Sequence, residues 1–253
     1  MEILDEILDH LNYGSAHKSR PGQPPLSWAI ENGHLSLAKL LIESGKSDLR
    51  SKDGSGRTPL YWAAERGATK IALDLLGSSV PYDLKDNTGR TPLSKASENG
   101  HETIAAKLLE LGAKIDSKPA KTGRTPLSWA ADKGHSAIVL IMLQSSHKSP
   151  RIDLRDDLMG RTPLSWAAKH GHAAVVNLLL GADGVDPNSR DNEGRTPLSL
   201  AAEHGHYNIV LSLVSDDRVD WQRSDNAKRS PLSWARSRDH QQIVQLLLIP
   251  KDG

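Results

Sequence analysis

The 253-residue chain balances 32 Lys and Arg against 31 Asp and Glu, so its overall charge gives no reason to expect wholesale attraction to nucleic acid or to a membrane surface. It contains no cysteine, which excludes disulfides, thiolate metal sites and cysteine nucleophiles and fits an intracellular, reducing address, cytoplasmic or nuclear. Its longest apolar run, Ile138 to Leu143, falls far short of the roughly 20 residues that a membrane-spanning helix needs.

Residues 1–20 come first. Ile3, Leu4, Ile7, Leu8 and Leu11 form an apolar stripe at helical spacing ahead of Gly14, which predicts a capping helix and loop. The acidic start, Met1-Glu2-Ile3-Leu4-Asp5-Glu6, is unlike the basic and then apolar opening of a signal peptide. From there the chain repeats itself. Thr-Pro-Leu stands at 58–60, 91–93, 125–127, 162–164 and 196–198, with Ser-Pro-Leu at 230–232 and Pro-Pro-Leu at 24–26. The leucines are 34, 33, 34, 37, 34 and 34 residues apart. A period in that range predicts a solenoid of stacked helical repeats in one continuous domain, 21–249. The units run over approximately 21–52, 53–85, 86–119, 120–156, 157–190, 191–224 and 225–249, followed by a short tail at 250–253.

Each unit predicts two helices. In the fifth, Asp157 to Gly160 is turn chemistry, Thr162 is an N-cap and Pro163 takes the first helical position, where its missing N–H costs nothing. Leu164, Ala167 and Ala168 make one narrow face, and Gly171 ends the helix as a left-handed residue. Val175, Val176 and Leu179 then mark a second helix. Apolar surface on both flanks of a unit can be buried only by its neighbours. At the far end, Arg236 stands where Ala64, Ala131, Ala168 and Ala202 stand, with Arg238 and Asp239 beyond it, as expected of a polar terminal unit.

The motif Asp-x-x-Gly-x-Thr-Pro-Leu followed by Ala-Ala-x-x-Gly-His resembles the ankyrin repeat across about residues 21 to 249. The family's usual His after Leu is replaced by Ser27, Ser94, Ser128, Ser165, Ser199 and Ser233, and by Tyr61 in the second unit. In this form the motif is most similar to the Pro-Leu-Ser-Trp-Ala-Ala arrays of filamentous fungi, which often follow a nucleotide-binding domain in larger receptors. The resemblance implies an all-α repeat fold, an α-α solenoid with β-hairpin fingers. It also implies a concave face of fingers and first helices that binds protein partners.

Two ladders mark candidate partner-binding residues on that face. Tryptophan recurs at Trp28, Trp62, Trp129, Trp166 and Trp234, interrupted by Lys95 and Leu200. Tryptophan is the residue most enriched at binding hot spots, yet rings at a fixed repeat position also serve as scaffold. Arginine recurs at Arg57, Arg90, Arg124, Arg161, Arg195 and Arg229, usually four residues after an acid: Asp53, Asp86, Asp157, Asp191 or Asp225. Pairing of those acids and arginines within the fingers is the alternative to a contact role. Arg66, Lys133, Lys169 and Arg238 add charge on the first helices, against Glu31, Glu65, Glu98, Asp132, Glu193 and Glu203. The modest excess favours a protein or peptide of acidic character. There is no basic tail or base-stacking module for nucleic acid.

Histidine recurs just after six of the seven first helices, at His34, His101, His135, His172, His206 and His240. That periodicity makes it part of the scaffold, because successive copies lie too far apart to share a metal at about 2 Å. No phosphate loop, nucleophile elbow or converging carboxylate pair is present. The unit from Ser94 to Ser128 departs most from the pattern: Lys95 replaces Trp, Ser97 replaces Ala and Ala120 replaces the finger Asp. The next connection, Gln144 to Arg155, is longer than the others. Together these features predict a monomeric, non-enzymatic binding scaffold with no cofactor, no metal and no membrane contact. The alternatives are recruitment of the groove for a small molecule or catalysis, and a sensor array detached from a fungal receptor.

Overall fold

A computed structural model describes residues 23–145 and 149–249; the expected amino-terminal cap, part of the long connection at 146–148 and the tail lie outside them. The described residues form fourteen helices in seven pairs, within two compact units, Met1–Ser117 and Lys118–Gly253. The first unit holds α1 (Pro25–Glu31), α2 (Leu35–Glu43), α3 (Pro59–Arg66), α4 (Thr69–Gly77), α5 (Pro92–Asn99) and α6 (Glu102–Glu110). The second holds α7 (Pro126–Lys133), α8 (Ser136–Leu143), α9 (Pro163–His170), α10 (Ala173–Leu180), α11 (Pro197–Glu203), α12 (Tyr207–Val214), α13 (Pro231–Ser237) and α14 (Gln241–Leu248).

Local chemistry starts each first helix as the motif predicts. The hydroxyl oxygens of Thr58, Thr91, Thr125, Thr162, Thr196 and Ser230 each accept the backbone N–H three residues on, and proline occupies the first turn. Ser94, Ser165 and Ser199 turn their own hydroxyls back toward the capping threonine, at 3.1, 3.1 and 3.2 Å. This places the buried serine hydroxyl beside a polar partner where the family more often carries histidine.

Within each unit a first helix packs on the first helices of adjacent pairs, and second helices do the same. Leu164, Ala167, Ala168, Val175, Val176 and Leu179 are wholly buried, so the faces predicted for the fifth pair are the ones it uses. Short first helices with alanine at the contacts let neighbouring backbones approach closely.

The helix stop has a second duty. Gly171 adopts φ 81°, and a Cβ there would stand 2.8 Å from the ring of His206. The His206 Nε2–H donates to the Lys169 carbonyl at 2.9 Å, tying one pair to the previous one. His172 does the same to Asp132, His240 to Glu203 and, in the first unit, His101 to Glu65. The recurrent histidines are therefore inter-repeat staples, and burial holds the His206 imidazole below its ordinary pKa despite the bond to Lys169.

The connections expected to form β-hairpin fingers contain no strand among the described residues. Where the turn keeps its acid it is tight and closed across its base by one backbone bond, as from Asp53 N–H to the Arg57 carbonyl at 3.0 Å and from Asp191 to Arg195 at 3.0 Å, whereas the fourth repeat's turn is closed by Gly123 N–H to the Pro119 carbonyl at 2.8 Å. Successive turns are linked by single bonds, Asn87 to Ser55 in the first unit and Asn192 to Met159 and Asn226 to Glu193 in the second. One bond per turn is too few for a ladder. The fifth turn also corrects the identity of its acid. Asp156, not Asp157, spans the base, donating to Arg161 at 2.9 Å, because this turn is one residue longer. Asp157 instead meets Lys118 at 3.1 Å.

Candidate functional site

The tryptophan and arginine ladders are parts of one repeated clasp. In the second repeat, one Asp53 oxygen accepts the Ser55 and Arg57 backbone N–H groups. The other accepts Arg57 Nε at 2.8 Å and Trp62 Nε1 at 3.2 Å, while the Arg57 guanidinium lies 4.1 Å from the indole centroid. The seventh repeat repeats this with Asp225, Arg229 and Trp234. Asp225 is held below the ordinary carboxylate range: burial pushes its pKa up, but the Arg229 backbone N–H, the Arg229 charge and Trp234 outweigh it. A buried carboxylate joined by several donors and a stacked guanidinium rigidifies the turn against the helix.

The clasp decides how much of each candidate residue faces outward. Trp62, Trp166 and Trp234 are 2%, 9% and 7% exposed, and Arg124, Arg161 and Arg195 are equally deep at 8%, 3% and 8%. Arg90, Lys95, Trp129 and Lys169 are half-buried, whereas Arg66 and Lys133 are exposed. Arg66 lies 5.8 Å from the Trp62 ring, and Arg238, also exposed, lies 5.8 Å from the Trp234 ring. Buried aromatic and guanidinium groups thus form a base from which the basic ends of the first helices project.

A second regularity links a turn to the end of the helix that follows it. Eight residues after its arginine, a repeat places an acid near the end of its first helix. Glu98 pairs with Arg90, Asp132 with Arg124 at 3.1 Å, and Glu203 with Arg195 at 3.3 Å. A spacing of eight crosses from turn to helix end, so no helical or strand period would reveal it. Burial raises the Asp132 pKa, yet hydrogen bonding from His170 and then the Arg124 charge bring it down to about 2. The Arg124 guanidinium is itself held between two indoles, 3.8 Å from Trp129 and 4.3 Å from Trp166.

Where a repeat lacks its tryptophan, a donor comes from the repeat before it. Asp86 of the third repeat has Lys95 where an indole would be, and Tyr61 of the second reaches it through a hydroxyl donating at 2.9 Å. Burial and then the bond to Asp86 raise the Tyr61 pKa far above its ordinary value, so it stays a neutral donor. Lys95 is occupied by Glu65 at 2.7 Å and Glu98 at 3.1 Å. The two departures noted separately, Tyr61 for Ser and Lys95 for Trp, are one compensated exchange. In the sixth repeat Leu200 replaces the indole, and Arg161 of the fifth donates its Nε to Asp191 at 3.3 Å.

Two open clefts lie away from the clasps. One of about 780 Å³ is lined by Val219, Trp221, Leu232, Leu247 and Ile249 among others, and one of about 540 Å³ by Leu140, Leu143, Ile152, Leu178 and Ala182 with their neighbours. Neither brings several charged side chains together. No group of three or more His, Cys, Asp and Glu that could hold a metal occurs among the described residues.

Stacked helix pairs, capped turns and a repeated polar clasp define a helical-repeat array. The chain belongs to the ankyrin-repeat family: a model of ankyrin repeats in three copies matches residues 2–85, 26–119, 68–156, 116–191 and 175–253. Among solved structures, it is similar to the human ASB11 ankyrin repeat domain, with 25% identity and a TM-score of 0.76, over 90% of this chain and 99% of that one. No curated protein matches the chain in sequence. No helix among the described residues is long and apolar enough to cross a membrane.

Proposed function

We propose that this chain is a non-enzymatic scaffold that binds a protein or peptide on the face shared by its turns and first helices, expected to be concave. The observation that carries this reading is the division of labour along that face. Buried clasps fix Trp62, Trp166 and Trp234, while the exposed Arg66 and Arg238 stand 5.8 Å from the Trp62 and Trp234 rings and the exposed Lys133 ends the helix that carries Trp129. A partner meeting such a surface loses little entropy in ordering it. The basic side chains favour a partner of acidic character, and the partially exposed Trp129 adds apolar area beside them.

The test is capture from an extract of the source organism, comparing the parent with an Arg66→Ala, Lys133→Ala, Arg238→Ala variant whose folded state is verified by circular dichroism. These three groups are exposed, so their removal leaves the clasps intact. A partner held by the parent and lost by the variant supports the proposed face. Equal retention by both sinks it and moves the contact to the second helices or the connections.

A further inference from the structure

The fifth repeat reverses a charge that five of the other six repeats carry; the seventh has Ser237 there. At the helix position occupied by Glu31, Glu65, Glu98, Asp132 and Glu203, it carries Lys169. In the third, fourth and sixth repeats that acid receives the arginine eight residues before it. Arg161 therefore has a cation where its acid would stand. Its guanidinium turns to Asp191 of the next repeat through Nε, stacks 4.7 Å from the Trp166 ring, and leaves Nη1 buried without a hydrogen-bond partner. The residue is 3% exposed, so water does not make up the missing bond freely.

Lys169 stands at the mouth of this arrangement. Half-buried, it makes no ion pair among the described residues, and its ammonium lies 5.4 Å from the same Trp166 ring. Burial and then the charges of Arg161 and Arg195 hold its pKa below the ordinary value, against the opposing pull of Asp132 and Glu203. Those two acids cannot neutralise it, because Asp132 is engaged by Arg124 and His170, and Glu203 by Arg195 and Arg238.

The geometry points to a seat for one carboxylate of a bound polypeptide, an Asp or Glu side chain that pairs with Lys169 beside the Trp166 ring, where the buried Arg161 adds a second positive charge beneath it. This rests on the peptide-binding function proposed above and names the anchor. Such an acid supplies from outside the negative charge that the third, fourth and sixth repeats place at this helix position.

The test is selection of a displayed library of random dodecapeptides on the parent and on Lys169→Glu, both in the second unit's native context of the full chain. Peptides enriched on the parent are expected to share an acidic residue at one position. Their affinity should fall about tenfold or more on Lys169→Glu, on Lys169→Gln to a smaller extent, and on the parent when that acid becomes Gln. Lys70→Glu, which alters an exposed charge on the second helix α4 and off the proposed face, should change it less than about threefold. Enriched peptides without an acidic position, or equal losses on Lys70→Glu and Lys169→Glu, overturn the seat while leaving the scaffold standing. No enrichment on either protein overturns both.

Discussion

The third and fifth repeats each break the charge pattern of the array, and they break it differently. In the third, Lys95 takes the place of an indole, and the carboxylate and ammonium at the change both have partners: Asp86 receives Tyr61, and Lys95 bridges Glu65 and Glu98. In the fifth, Lys169 takes the place of an acid, and Arg161 is redirected to Asp191 with one end unmatched. A departure that is internally balanced is explained by stacking alone. One that leaves a half-buried ammonium without a counter-charge implies that something outside the repeat supplies it.

The sharpest way to break this comparison is at Tyr61. Replacing it with Ser, the residue found at this position in the other repeats, removes a buried ring and the donor to Asp86 Oδ2, at an expected cost of about 3 kcal/mol in chemical denaturation. Lys95→Trp in the same chain should recover more than about 1 kcal/mol of that loss, since the indole resupplies the donor. Additive effects in the double-mutant cycle would show that the two departures are independent.

Asp132 provides the next largest effect, and its sign follows from its depressed pKa. A carboxyl at about 2 in the folded protein and near 3.8 when unfolded stabilises the fold above about pH 4, and the benefit is lost as pH falls toward 2. Asp132→Asn should therefore cost about 2 kcal/mol near neutrality and flatten the loss of stability between about pH 4 and 2. An acid-unfolding curve with unchanged slope would place the acid sensitivity elsewhere, with Glu98 or Asp225 next to examine, since both are also depressed.

The smallest effect is the most discriminating. Lys169→Glu recreates the pair that the third, fourth and sixth repeats make and should raise stability by about 1 kcal/mol in urea titration. A stability gain together with a loss of peptide binding is the signature of a residue kept for contact at the expense of the fold. If stability falls instead, Lys169 serves the stack and the contrast with the third repeat disappears.

Sequence alone determined the number of helix pairs, their caps, stops and buried faces, because each depends on residues within one period: Thr162 and Pro163 start a helix, Gly171 ends it, and Val175, Val176 and Leu179 bury its partner. It also identified the histidines as scaffold by their recurrence. Tertiary structure decided what each polar ladder does, since those contacts cross from turn to helix end or from one repeat to the next. Tyr61 reaching Asp86, Asp156 replacing Asp157, and Arg161 leaving Lys169 for Asp191 join residues 25, 10 or 30 positions apart with no shared period. Local propensity is carried by neighbours along the chain, whereas the pairing of buried charge is settled by whichever donor the folded stack brings within reach.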